Sequence, residues 1–518
     1  MEGSARGRDD YEYEKVSPAE DDAANASGRL SLPTASFDAR RDSVRIFETM
    51  ADAKAAPPDR KFLYLAACIG NLASFVCGTA LGWTSPEMPK LKALDDNPLG
   101  RILTPSEEGW VGAFLPLAAA IGPFAGGYLA DAIGRKKTLL IGATPFILAY
   151  VLNIIATNVY YFFLSRFLCG LGVGIVFTSI PMYVGEIADD EVRGSLGAFM
   201  QLFIVIGLLF SYVFGPYLTV KIFNVVLLVP PVAFVLLFLF FVPESPYYLI
   251  QTDKTEEAEQ ALMKLRGSGR NVVQKEAELI RQQVEVDQRN KGGFLDIFKT
   301  RGLKMALMLS LGLVACQQLS GINIILFFAQ DVFTAAGVSL APEICTIIIG
   351  VVQILASGAT PMLVEKWGKR FLLMLSGIGM GLSQGVMAYF FHLKDDKMED
   401  ISNIGWVPIV GLVVFIVAYC LGFGPLPWAV MGELFPGNIK SAASSATASG
   451  CWVLGFIVTR YFGNLTDLIG RSGSFGVFTG FCFIAALFVY KLLPETSGKS
   501  LQEIQDILNG KSKVEDHE

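Results

Sequence analysis

The chain is 518 residues long, 52% of them hydrophobic, with a formal net charge of −6 and a mean hydropathy of +0.48. The mild acidity resides largely in tails and loops, and no basic patch interleaved with aromatics is present, which removes nucleic acid as a partner. Apolar runs of about 20 residues, the length an α-helix needs to cross a bilayer, recur throughout; they do not alternate as outer-membrane strands do, which removes a β-barrel.

Residues 1–58 are rich in Asp, Glu, Ala, Ser and Pro without an apolar period, so a disordered tail is expected, unlike a cleavable signal peptide. Six candidate spans follow, near 62–84, 109–130, 138–157, 160–183, 195–217 and 222–242, and define an N-terminal bundle over 59–243. The polar stretch 244–300 is predicted to form an intracellular helical linker. In it Asp253 and Glu256 have the spacing of a capping box, opening a helix that Gly267 closes. Asn271 is placed to cap a second helix running to about Asn290, before Gly292 and Gly293. Ala258, Ala261 and Leu262 are expected to rest on the bundle's inner face. Six more spans, near 305–330, 342–364, 371–391, 405–431, 441–463 and 472–492, define a C-terminal bundle over 301–493, followed by a cytosolic tail at 494–518. The predicted fold class is an all-α membrane protein with twelve transmembrane helices in two pseudo-symmetric six-helix bundles.

An even number of spans puts both termini on one side. Short loops there hold Arg135, Lys136, Lys137, Arg193, Lys366, Lys369, Arg370 and Lys440, against chiefly Lys90, Lys92 and Arg101 opposite. The positive-inside bias therefore places both termini in the cytoplasm. All eight cysteines fall in apolar runs and read as small packing residues, not as disulfides or metal ligands. The Gly170-Leu171-Gly172-Val173-Gly174 run lies within a span, where it reads as a close helix-packing surface rather than a phosphate loop. Neither an enzyme, a cofactor nor an obligate protein partner is expected; the partners are a small solute and the lipid bilayer.

The halves repeat one another. LADAIGRKK after the second span has a counterpart in LVEKWGKRF after the eighth, YVGEIADDEVRG after the fourth in VMGELFPGNIKS after the tenth, and PESPYYL after the sixth in PETSGKS after the twelfth. Parallel repeats of this kind build two bundles that rock about a site between them.

Polar groups at membrane depth are costly and face a cavity or a partner helix. Gln317, Gln318 and Asn323 lie within one apolar stretch, and Gln201 lies in another. Amides carry donors and acceptors together, as a neutral, hydroxyl-rich solute requires; the alternative is hydrogen bonding between helices, worth about 0.6 kcal/mol on average. At about 100° per residue the three neighbouring amides share no single helical face, so their convergence requires unwinding at Gly321. Trp428 stands among Gly422, Gly424, Pro425 and Pro427, a composition that predicts a kinked or flexible span. Glu186, Arg193, Glu365, Arg370, Glu433 and Lys440 sit at span ends in symmetric positions, which reads either as topology signal and solvated surface or as paired charges. The first span, FLYLAACIGNLASFVCGTALGW, contains no acid. A proton-coupled carrier needs an acid at membrane depth, so uncoupled transport is the expectation, a proton symporter the alternative, and a non-transporting sensor a more remote one.

GRKK, PESP, QQLSGIN, GPLPW and PETSGK together make residues 60–505 resemble the sugar porter family of the major facilitator superfamily, most closely the insect facilitated trehalose transporters, a likeness that includes Gly82–Pro89 (GWTSPEMP). The resemblance implies alternating access in a cell membrane and a trehalose or hexose site between the halves. It assigns sugar contacts to Gln201, Gln317, Gln318, Asn323 and Trp428, and an inner latch of ion pairs between halves to Glu186, Arg193, Glu365, Arg370, Glu433 and Lys440, with Arg166 a further candidate. The sequence departs from the pattern at Phe327 and Phe328, which stand where many relatives carry two tyrosines and read either as an outer lid or as simple core packing. It departs again at Gln353 in the eighth span, at Cys451-Trp452 where an Asn-Trp pair is usual, and at Ala132.

Overall fold

The computed structural model describes residues 59–509 apart from 96, 190, 290–293, 400–401, 498 and 500. The tail at 1–58, the extreme C-terminus from 510 and the Asn290–Gly293 end of the linker lie outside the described residues.

The N-terminal half consists of Lys61–Gly82 continued by Thr84–Leu91, Pro105–Ala119 with Gly122–Ile133, then Arg135–Ile154, Val159–Ile187, Arg193–Phe214 and Val220–Phe241. In the C-terminal half the seventh span is three pieces, Arg301–Leu319, Ile322–Phe327 and Ala329–Ala336. Pro342–Trp367 and Lys369–Phe391 follow, and the tenth span is two pieces, Val407–Leu421 and Leu426–Leu434. Gly437–Leu492 is interrupted by Gly470 at φ 73°, ψ 171°. A straight helix would hold Phe462 and Phe478 about 24 Å apart, yet their ring centroids are 6.1 Å apart. The chain doubles back at Gly470, giving spans eleven and twelve.

Local chemistry sets the span ends. Thr104 and Glu107 cap each other's backbone at the start of the second span, a reciprocal capping box. Asn158, Thr219 and Thr300 each accept a first-turn N–H at the fourth, sixth and seventh spans. The glycine run of the fourth span packs as expected: a Cβ at Gly174 would lie 2.6 Å from Gly122 Cα, and one at Gly170 would lie 2.2 Å from Leu115 O. Phe240 and Leu355 face outward at 74% and 69% exposure, tolerable against lipid tails but not as a continuous surface in water.

The repeated motifs meet in space. Gly134 (φ 99°) and Gly368 (φ 76°) open the third and ninth spans in a conformation that favours glycine. Glu244 of PESP accepts from Lys136 N at 2.9 Å, and Glu495 of PETS accepts from Lys369 N at 3.3 Å and Arg370 N at 3.1 Å. Each half thus closes a helix N-terminus with an acid from its own last span, where the helix dipole favours an anion. A Cβ at Gly134 would lie 2.3 Å from Glu244 Oε2, and one at Gly368 would lie 2.9 Å from Glu495 Oε2.

The linker differs from expectation in detail. Its helices are Pro246–Gln251, Thr255–Arg266 and Arg270–Arg289. Lys254, not Asp253, precedes the second, without a side-chain cap, while Asp253 takes φ 59° in the turn; Gly267 does end that helix left-handed. Asn271 lies inside the third helix rather than capping it. Ala258, Ala261 and Leu262 pack mainly against Leu249, Ile250, Val273 and Ala277 of the neighbouring linker helices, giving the linker a small core of its own. The C-terminal tail is also partly structured: in the helix Leu501–Leu508, Ile504 is buried, Gln505 Nε2 donates to Leu434 O at 2.6 Å, and Asn509 Oδ1 accepts from Gly302 N at 2.8 Å.

Candidate functional site

Gly321 takes φ 82°, ending one helical piece at Leu319 and starting the next at Ile322. This is the unwinding the amides required. Gln317, Gln318 and Asn323 are all buried, at 3%, 5% and 6% exposure. Asn323 Nδ2 donates to Gln318 Oε1 at 2.6 Å. Gln317 Nε2 donates to the carbonyls of Phe423 at 2.6 Å and Gly424 at 2.9 Å. Those carbonyls are free because the tenth span breaks there, with Gly422 at φ −140°, ψ −85°. Two broken helices therefore satisfy one another, the condition for irregular backbone at membrane depth.

Gln201 is half-buried on the fifth span, outside the hydrogen bonds of this cluster; Trp428 is half-buried in Leu426–Leu434. Phe327 is buried, and Phe328 reaches the other half, where a Cβ at Gly112 would meet its ring at 3.0 Å. Sequence reasoning missed part of the cluster. Gln384 Nε2 donates to Ser320 O at 3.0 Å beside the break, and Cys451 Sγ lies 3.0 Å from Gln318 Nε2. Gln353 Oε1, Gln384 Oε1 and Trp452 Nε1 are buried without a hydrogen-bond partner among the described residues, and the Trp452 ring stands edge-on to Phe177 of the opposite half, 5.6 Å away. Gln353 stood out in the sequence already, and for Gln384 the available signal was an amide within an apolar span.

The symmetric charges gather at the end of the bundle that carries the linker. Arg135 donates to Glu186 at 2.8 Å, and Ser245 Oγ also donates to Glu186. Lys369 pairs with Glu433. Arg370 donates to Tyr490 O at 2.5 Å, and Arg193 to Gly185 O at 3.2 Å. Each of these contacts lies within one half rather than between halves, and Glu365 and Lys440 are exposed. Arg166 does not join them. The fourth span starts at the opposite end, so twenty residues of helix, about 30 Å, separate it from Glu186. It is buried beside Trp83, donating to Ala80 O at 2.6 Å and Thr84 Oγ1 at 2.9 Å.

At that opposite end, which carries the loop 92–104, contacts do cross between halves. Lys92 bonds Glu108 at 2.6 Å in its own half and Asp331 at 3.1 Å in the other. Tyr212 OH donates to Leu326 O at 2.6 Å, Gln330 N donates to Ser85 Oγ at 3.3 Å, and Arg460 lies 4.8 Å over the Trp110 ring. Nearer mid-depth, Ser449 Oγ donates to Ala120 O at 2.6 Å. Burial pulls the Lys92 pKa down, but Asp331 and Glu108 more than offset it and the ammonium is held above its ordinary value.

A family model described as "Sugar (and other) transporter" matches residues 60–508. The facilitated trehalose transporter Tret1 of Drosophila willistoni is 37% identical over 448 residues, 86% of this chain and 51% of that protein. Its namesake from Culex quinquefasciatus is 36% identical, with 86% of each covered. The chain thus spans about half the length of several relatives it matches. Among solved structures, the inward-open conformation of the xylose transporter XylE from E. coli superposes with a TM-score of 0.71 at 23% identity, over 86% of this chain and 99% of that one. At that identity the likeness is one of fold.

Proposed function

Because the chain belongs to the sugar (and other) transporter family, we propose that it is a facilitative carrier moving trehalose or a hexose such as glucose down its gradient by alternating access. It is not an enzyme in this reading, and it works in the cell membrane with both termini and the linker in the cytoplasm. The observation that carries the proposal is the amide cluster at the Gly321 break. A sugar leaving water must exchange hydration for hydrogen bonds, each worth about 0.5–1.5 kcal/mol net. Several together sum to roughly −4 kcal/mol, millimolar binding that still permits release. Gln317, Gln318, Asn323, Gln201 and Trp428 supply the contacts, and the unpaired Gln353 and Trp452 atoms are available to further hydroxyls.

Contacts between halves at the loop end, beside same-half pairs at the linker end, fit a state open to the cytoplasm. Closing the linker end then trades the Glu186 and Glu433 pairs for contacts across the halves with Arg193, Glu365, Arg370 and Lys440, while Phe328, with Phe327 next to it in the chain, moves off the second span as the outer side opens. Uncoupled transport is supported by the first helix, Lys61–Gly82, which holds no Asp or Glu, by the buried Glu87 of its continuation being paired with Lys90 at 2.8 Å, and by Arg166, whose hydrogen bonds go to neutral oxygens. Uptake of labelled trehalose and glucose in cells expressing the chain tests the reading. Saturable uptake indifferent to a proton uncoupler is expected; collapse with the gradient would establish symport instead.

A further inference from the structure

The hydrogen bonds of the amide cluster join into one directed chain. Its lower end is fixed by chemistry, since the carbonyls of Phe423 and Gly424 can only accept and Gln317 must turn its NH2 toward them. Gln317 Oε1 then faces Cys451 Sγ at 3.6 Å and accepts from the thiol. The same sulfur accepts from Gln318 Nε2 at 3.0 Å, which leaves Gln318 Oε1 to accept from Asn323 Nδ2 at 2.6 Å. Cys451 is the one member of this chain that donates and accepts through a single atom, and it is buried at 1% exposure.

The eleventh span is shaped to hold it there. One turn along from Cys451, a Cβ at Gly455 would lie 2.8 Å from Asn323 Nδ2 and 3.2 Å from Gln318 Oε1. The absent side chain lets both amides settle on the helix that carries the thiol. Trp452, next in sequence, faces Phe177 of the other half with its buried indole N–H unpaired, so this strip of helix borders the interface at which a solute enters.

We propose that Cys451 is a positioning residue that couples the amides at the Gly321 break to the break in the tenth span. This rests on the carrier reading above. A sugar hydroxyl that draws Asn323 away from Gln318 frees Gln318 to rotate, releases the thiol, and loosens the hold of Gln317 on the Phe423 and Gly424 carbonyls. Substrate occupancy in one broken helix is thereby reported to the other, which carries Trp428 and Glu433. A thiol suits the task because its hydrogen bonds are weak and are exchanged at little cost.

Uptake kinetics on the full chain test the coupling. Cys451→Ala should raise KM about fivefold, while Cys451→Ser, which keeps a donor and an acceptor on one atom, recovers most of that loss. In a Gln318→Ala background, Cys451→Ala should add less than about twofold, since the link is already cut. Equal KM in Cys451→Ala and the parent, Ser no better than Ala, or fully additive losses would each overturn the proposal. If the parent carries neither trehalose nor glucose, the carrier reading fails, and the coupling is judged without transport. Asn323→Ala, which does not touch the thiol, should speed alkylation of Cys451 by N-ethylmaleimide about threefold, followed by peptide mass spectrometry; an unchanged rate refutes it.

Discussion

The two halves share their motifs and their capping acids, yet they join their helices differently. Within the N-terminal half the joints at Trp83, Ala120 and Ile121 keep right-handed helical dihedrals, so the first and second spans bend but stay nearly continuous. In the C-terminal half the joints at Gly321 and Gly422 leave that region altogether. The consequence is chemical. A bent helix keeps most of its backbone paired, whereas a broken one frees carbonyls that need side-chain donors, and Gln317 and Gln384 supply them. Polar chemistry collects in the half whose backbone is broken, while the other half serves as the more regular wall.

The largest expected effect probes the breaks directly. Gly321→Ala places a Cβ at φ 82° and 2.8 Å from the Phe478 ring, costing about 2–4 kcal/mol from left-handed strain and overpacking. Gly185→Ala, in the continuous fourth span with open space around it, should be neutral or stabilising by up to about 1 kcal/mol. Thermal unfolding in detergent ranks the two, and equal melting temperatures would erase the distinction between the halves.

Next come the amides. Gln318→Ala or Asn323→Ala should lower kcat/KM for uptake roughly tenfold or more, a loss of about 1.5–3 kcal/mol with the partner amide left unpaired. Gln201→Ala, on the regular wall, should cost only about two- to fivefold. A Gln201 loss as large as that of Asn323 would mean that both halves bind the solute equally.

A smaller effect concerns the contact between halves at the loop end. Lys92→Ala leaves Glu108 and Asp331 facing each other without their shared cation. Because the triad is partly solvated, about 1 kcal/mol is at stake, or roughly a fivefold rise in labelling of Ser85→Cys, a buried position, by an impermeant thiol reagent from the loop side. Labelling that ignores the loss of Lys92 would remove this triad from the gate.

The smallest effect compares the capping acids. Burial lifts Glu244 above its ordinary range despite its hydrogen bonds. For Glu495 the same upward pull is outweighed by hydrogen bonds from Ser497, Arg370 and Lys369, and its carboxyl sits below the ordinary range. The stabilisation from Glu495 is present above its unfolded pKa and is lost as pH falls through the lower folded value, whereas folding disfavours the charge on Glu244. Glu495→Gln should therefore cost up to about 1 kcal/mol, reduced by its partial exposure, and Glu244→Gln less. Melting temperatures at neutral pH give the order.

Much of this was legible in the chain, because membrane spans announce themselves by composition and a glycine at an unwound helix by its place among amides. PESP and PETS were readable as repeats, but their contact with Gly134 and Gly368 was not, since it depends on the sixth span returning to the third and the twelfth to the ninth. Arg166 was misplaced because a charge near a span end says nothing of which end until the direction of the helix is followed. Cys451 read as packing because a thiol in an apolar run carries no signal of the two glutamines beside it.

Hydrophobic length and internal repetition by themselves determined twelve spans in two related halves, since a bilayer admits few other arrangements of such segments. Only the folded structure decided which polar atoms meet, which end of the bundle holds the halves together, and that the described pairs of Glu186 and Glu433 stay within their own halves. Those outcomes depend on contacts of a few ångströms between residues far apart in the chain, and no local pattern encodes them.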